Sequence, residues 1–196
     1  MLVQLSKRDL WRCEKAASLR WQLSRAAGVV NQRKDQSRTD EDVDFLGIKG
    51  EVAVAKLFRV DDYHPMELGI DLGNDMSVGD ISVDVKTTFH MHGKLAFKTK
   101  ESFVANTSVL VTATEDPTVM SVVGHCPRGE FLQMCQQTQL GDGWAYAVPQ
   151  DQLRPIENLW LAAMSMQLAP SRRREPTPPK SSIEPTAPAA PEDCWP

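Results

Sequence analysis

The sequence predicts an α/β protein in which two long helices precede a run of short strands, and three observations carry that expectation. Residues 6–27 and 39–58 repeat apolar side chains at helical spacing. Residues 81–87, Ile-Ser-Val-Asp-Val-Lys-Thr, alternate apolar and polar side chains with the period of two of a half-buried strand. Ser108 to Ala113, Ser-Val-Leu-Val-Thr-Ala, is the β-branched run of a buried strand.

Taken in order, Ser6 is the expected N-cap of the first helix. Leu10, Cys13, Ala16, Ala17, Leu19 and Leu23 form its apolar stripe, with Trp11 and Trp21 beside it as packing residues and Gly28 at its end. Asn31–Asp42 is entirely polar and reads as an exposed connection. Thr39 or Asp40 then caps a second helix through about Phe58, apolar over much of its surface. In that helix Gly47 and Gly50 each cost about 1 kcal/mol relative to alanine. Close packing on a sheet, or close approach of a ligand, would explain that cost. Glu51 follows directly: it is either an exposed residue or a buried carboxylate needing a partner or a metal.

After the Tyr63-His64-Pro65 loop, Gly69–Thr88 reads as a hairpin of two short strands. Ile81, Val83 and Val85 share one face of its second strand, and Asp80, Ser82, Asp84 and Lys86 the other. Gly93-Lys94 is a turn, with His90 and His92 on an extension of the preceding strand; they are either exposed loop histidines or phosphate contacts. Asp116-Pro117 turns the chain into a strand over Val119–Gly124. A short helix is expected over Phe131–Gln137, a short strand over Trp144–Val148, and a turn with a short helix over Asp151–Leu159, docked through Leu153, Ile156 and Leu159. From Pro170 the chain is Pro-rich and poor in core-forming residues, the composition of a disordered tail, with Arg172, Arg173 and Arg174 available for phosphate contacts. The expected organisation is a basic helical extension over 1–38, a domain over 39–169 and a tail over 170–196.

Length and composition suit one soluble domain with extensions: 196 residues, 41% hydrophobic and 24% charged. No apolar run approaches the roughly 20 residues of a membrane helix, and the N-terminus lacks a signal-peptide pattern, so a cytoplasmic protein with no membrane partner is expected. The four cysteines, 13, 126, 135 and 194, form no C-x-x-C pair and read as reduced thiols. A zinc site at His125, Cys126 and Cys135 lacks a fourth ligand. The net charge of −4 conceals a basic segment over 1–38 followed by an acidic one over 39–84. That asymmetry fits a metal-dependent enzyme acting on a polyanion, and equally a solvated helix followed by an acidic loop.

The chemistry concentrates in Glu51 on the second helix, Asp71 on the first hairpin strand, and Asp84 and Lys86 on the second. Mg²⁺ or Mn²⁺ favours hard oxygen ligands. Asp71 and Asp84 would bridge such an ion near the backbone carbonyl of Val85, with Glu51 as a third carboxylate, and Lys86 would position hydroxide or stabilise transition-state charge.

Gly47-Ile48-Lys49-Gly50-Glu51, Asp71 and Val83-Asp84-Val85-Lys86-Thr87-Thr88 resemble the active-site signature of the PD-(D/E)XK nuclease superfamily, which includes restriction endonucleases, phage exonucleases and archaeal Holliday-junction resolvases. The resemblance covers about residues 41–160, including the later run Val109–Leu132. It implies a restriction-endonuclease-like α/β core, a central mixed sheet flanked by helices, and Mg²⁺-dependent hydrolysis of phosphodiesters. Carried over, Glu51, Asp71 and Asp84 match the metal-binding acids and Lys86 the catalytic lysine. The chain departs from the pattern in having no proline before Asp71 and no Gln-x-x-x-Tyr helix. Asp75 and Asp80 compete for the role of first acid. Asp80 shares a strand with Asp84 and Asp75 falls at the turn, which leaves Asp71.

The expectation is a Mg²⁺- or Mn²⁺-dependent deoxyribonuclease whose partner is DNA, with the basic N-terminal helix on the phosphate backbone and a homodimer as one arrangement for cutting two strands. A phage-encoded member would work in the host cytoplasm. The alternatives are a catalytically inactive nuclease-fold protein serving as a nucleic-acid-binding or host-interaction factor, and an adaptor working through its Pro-rich tail.

Overall fold

In a computed structural model of the chain, the residues described are 1–26, 38–66, 73–141 and 143–168. The expected helix end at Gly28, the site candidate Asp71 and the tail from Pro170 lie outside them. The described residues form an α/β fold of four helices around a mixed five-stranded sheet, with a smaller three-stranded sheet beside it.

Local signals set the helix starts. Helix α1, Lys7–Ala26, begins where Ser6 and Asp9 satisfy each other's backbone N–H groups: the Asp9 N–H donates to Ser6 Oγ at 3.1 Å and the Ser6 N–H to Asp9 Oδ2 at 2.8 Å. Thr39 and Asp42 form the same reciprocal cap for α2, Asp40–Phe58. Thr39 is thus the expected cap, and Asp40–Asp42, also counted in the polar connection, form the first turn of the helix. Helix α2 ends at Arg59, which takes the left-handed conformation at φ 55° and returns its N–H to the last turn.

Strand order in the large sheet is β1-β6-β5-β3-β2, where β1 is Leu2–Gln4, β2 Met76–Val78, β3 Ile81–Thr88, β5 Thr107–Ala113 and β6 Val119–Pro127. Strands β3 and β5 run parallel, and the other neighbours are antiparallel. The chain crosses from β3 to β5 through β4, Leu95–Phe97, which belongs to the small antiparallel sheet β4-β8-β7 with β7 at Gln136–Leu140 and β8 at Gly143–Val148. Helix α3, Arg128–Met134, follows β6 directly, and α4, Ile156–Leu168, closes the described chain.

Both faces of the large sheet are covered. On one, Val83, Val85, Val109, Val111, Met120 and Val122 pack with Leu46, Ala53 and Val54 of α2 and with Ile156, Leu159 and Ala163 of α4. On the other, Leu110 and Cys126 meet Phe97, Phe103, Phe131 and Val148. The Phe97 and Phe103 rings stack at 4.4 Å and Phe131 stands edge-on to both. Residues 1–26 are built into this body. Strand β1 pairs with the β6 edge, and Cys13, Ala16 and Ala17 of α1 bury Ile48 of α2.

Several sequence expectations are corrected here. His90 and His92 do not extend a strand: β3 stops at Thr88, and the Gly93 N–H donates to the His90 carbonyl in a turn. The segment expected as a helix to Gln137 ends at Met134 and becomes an edge strand, and the short helix expected before Leu159 is the start of the longer α4.

The two glycines of α2 have different reasons. A Cβ at Gly50 would fall 1.9 Å from Thr87 Oγ1, so this glycine lets the helix backbone lie directly on β3. A Cβ at Gly47 would meet nothing within 4 Å. Chemical denaturation should therefore separate them. Gly50→Ala is expected to destabilise by about 1–3 kcal/mol through overpacking, whereas Gly47→Ala is expected to stabilise by up to about 1 kcal/mol through helix propensity.

Candidate functional site

The hairpin that carries the candidate site is shorter than its sequence suggested. Gly79-Asp80 forms a two-residue turn with Gly79 at φ 61°, and β2 pairs with β3 in the register Met76↔Val83, Ser77↔Ser82 and Val78↔Ile81. Asp80 thus belongs to the turn and not to the strand. Asp75, expected at the turn, precedes β2 at its far end. Asp75 lies one residue before Met76, where the paired register ends. Its N–H donates to the Val83 carbonyl at 2.9 Å, and its Oδ2 accepts the Val85 N–H at 2.6 Å.

Strand β3 is buried at Val83, Asp84 and Val85 in succession, because a layer covers each face. Thr87 faces α2 at Gly50, so strand alternation directs Asp84 and Lys86 to the side of the small sheet. Their partners agree: Lys86 Nζ donates to Asp84 Oδ1 at 2.6 Å and lies 4.9 Å from the centre of the Phe97 ring. Ser108 Oγ on β5 donates to Asp84 Oδ2 at 3.0 Å. Asp84 is 7% exposed, a burial that a carboxylate tolerates only with such partners.

Glu51 is buried on the α2 side, which resolves the two sequence readings in favour of a partnered carboxylate. Arg20 of α1 reaches it with both terminal nitrogens, Nη1 to Oε1 at 3.3 Å and Nη2 to Oε2 at 3.2 Å. The Tyr63 hydroxyl donates to Oε2 at 2.6 Å. Burial first, and then the Glu51 charge, push the Tyr63 hydroxyl far above its ordinary range, so it stays a donor.

Asp75 connects the two halves. Burial raises its pKa to about 7, the nearby Glu51 charge adds to the shift, the Val85 N–H opposes it, and Asp84 raises it further. Glu51 and Asp84 thus both act on Asp75, and neither cation removes the excess. The donor chemistry, three carboxylates of hard oxygen with surplus negative charge, fits a divalent ion such as Mg²⁺ or Mn²⁺. Among the described residues, no three Asp, Glu, His or Cys side chains lie close enough together to hold a metal ion as the side chains stand. Of the residues picked from sequence, the structure therefore brings Asp84, Lys86 and Val85 together, sets Glu51 across the strand from them, and leaves Asp71 outside the described residues.

The sequence reading missed Arg20, Tyr63 and Ser108. Arg20 was one of several basic residues on a helix, and only the packing of α1 on α2 singles it out. Ser108 is legible as the polar start of an otherwise apolar strand, and it pairs directly with Asp84 in the β3–β5 register.

Lys49 and His125 are further buried polar residues. Lys49 Nζ donates to the Pro117 carbonyl at 2.5 Å, beside the Phe45 ring. His125 sets Nδ1 3.1 Å from Thr107 Oγ1 and leaves Nε2 buried without a partner among the described residues, and burial lowers its pKa to about 4. Cys13, Cys126 and Cys135 are free thiols, the first pushed to about 12 by burial. Among the described helices none is long and apolar enough to cross a membrane. Comparison with protein-family models, with curated proteins and with solved structures found no match.

The raised pKa of Asp75 has a definite pH signature. The folded state holds the Asp75 proton more tightly than the unfolded chain, so this contribution to stability is complete below about pH 4 and is lost as pH rises to about 7. Asp75→Asn, a neutral mimic of the protonated acid, keeps it at every pH. In chelator-treated buffer at pH 8 the variant is expected to be more stable than the parent by about 1–3 kcal/mol, with the difference shrinking towards pH 4. Urea denaturation across that range measures it.

Proposed function

We propose that the chain is a metal-dependent nuclease of the PD-(D/E)XK kind, hydrolysing DNA phosphodiesters, with Asp75 as the hairpin acid. One observation carries this reading: on β3, Asp84 and the lysine two residues on lie together, and a second carboxylate, Asp75, is held on the Val85 N–H between them under the field of Asp84 and Glu51. Core packing alone gives no reason for that crowding. The α/β fold, with its hairpin entering a mixed sheet and a helix laid on the same strand, supports the reading at the level of architecture.

Asp75 and Asp84 would hold the ion once their side chains turn towards it, with Glu51 reaching it through water, and Mg²⁺ or Mn²⁺ as the candidates. A bound ion of this type polarises a phosphoryl oxygen and acidifies a coordinated water. The remaining roles fall to the protein's own groups. Ser108 fixes one oxygen of Asp84 and Lys86 meets the other, so the carboxylate cannot rotate freely. Lys86, 38% exposed at its side chain, is the charged group able to meet an anionic phosphoryl oxygen. Arg20 and Tyr63 set the orientation of Glu51.

A second reading has its own observation. Arg20 and Tyr63 already engage both oxygens of Glu51, which suits a nuclease-fold protein that binds nucleic acid or a host factor without cutting. Plasmid and single-stranded DNA incubated with Mg²⁺ or Mn²⁺ separate the two. The nuclease reading expects cleavage that falls at least about 10²-fold in Asp84→Asn, Lys86→Ala and Asp75→Asn, while Asp71→Asn keeps most of it. Binding without cleavage under either ion supports the second reading. Cleavage unchanged in the Asp84 and Lys86 variants overturns the assignment.

A further inference from the structure

Away from the carboxylates, a cleft of about 300 Å³ opens between α4, the end of α2 and the β2–β3 turn. Its walls include Phe58, Val78, Trp160 and Met164, and Asp61 and Asp62 stand at it. Trp160 and Met164 lie one turn apart on α4 and remain 49% and 40% exposed, an apolar surface that nothing in the described chain covers. Asp61 and Asp62 form no ion pair with a described residue; Arg59 is the basic residue of the lining.

The chain beyond α4 carries a matching chemistry. Residues 173–179 read Arg-Arg-Glu-Pro-Thr-Pro-Pro, so Arg173, Pro176 and Pro179 repeat at intervals of three. In the left-handed helix that proline favours, three residues complete a turn, and these side chains share one edge. Aromatic grooves take such prolines, and acidic residues at the groove take the arginine. The geometry of the chain allows the contact in cis. Met164 and Trp160 lie about 6 and 12 Å back from Leu168 along α4. Residues 169–172 span up to about 13 Å. A tether this short gives an effective concentration on the order of millimolar, so a weak groove suffices.

We infer that the cleft beside Trp160 is the docking site of the chain's own Arg173–Pro179 segment, with Pro176 and Pro179 against Trp160 and Met164 and Arg173 against Asp61 and Asp62. The inference is independent of the nuclease reading, since no catalytic candidate lines the cleft. It gives the Pro-rich segment an intramolecular partner, one that any outside ligand for it would have to displace.

The test uses the full chain with a benzophenone photocrosslinker at Thr177. Irradiation of dilute protein should give intramolecular crosslinks that map by mass spectrometry to Phe58, Val60, Trp160 or Met164, with a yield independent of concentration. Asp61→Lys with Asp62→Lys, both exposed positions, should cut the yield about tenfold, the factor that loss of about 1.4 kcal/mol gives. Adding Arg173→Glu and Arg174→Glu to that variant should restore it, while thermal unfolding stays unchanged throughout. Crosslinks scattered over the surface, a yield insensitive to the charge reversals, or products that are dimers growing with concentration would each overturn the inference.

Discussion

Strand β3 must bury a carboxylate. It lies inside the sheet between β2 and β5, with helices on one face and the small sheet on the other, so Asp84 has lost most of its water. A buried charge without partners costs far more than a single domain's net stability allows. The fold supplies Lys86 from the same strand and Ser108 from the next. Gly50 seats α2 on the strand's other face, and Phe97 lies beneath Lys86.

Glu51 is treated the same way on the other face, with Arg20 and Tyr63 in place of Lys86 and Ser108. Among the described residues Asp75 receives only a backbone N–H as a hydrogen-bond donor, with the fields of both partnered acids acting on it and that of Lys86 offsetting them in part. Like charges held close together in a low-dielectric interior destabilise it. A position that breaks a local rule without compensation in packing is where function is to be sought. The carboxylate that the protein leaves least satisfied, rather than the two it satisfies, is where a cation would bind under the proposed function.

What the sequence revealed was what local chemistry determines. Ser6 and Thr39 announced the helix starts because each cap closes within three residues. The period of Ile81–Thr87 announced β3, and the odd glycine in Gly50-Glu51 announced a close approach that Thr87 supplies. The turn was harder. Glycines and aspartates run from Gly69 to Asp80, so several turns fit the letters, and only the pairing of Met76 with Val83 selects Gly79-Asp80. Strand β7, Gln-Gln-Thr-Gln-Leu, has no strand signature because it is an edge strand joined through its backbone to β8. Arg20 meets Glu51 across 31 residues of sequence, a tertiary pairing that charge patterning does not encode.

The shared field around Asp75 is the central claim, and a ¹³C-detected NMR titration of its carboxyl in metal-free protein tests it most directly. The account predicts a midpoint near 7, falling when Glu51 is replaced by Gln and collapsing towards the ordinary range when Mg²⁺ is added. A midpoint near 4 that responds to neither change would contradict it.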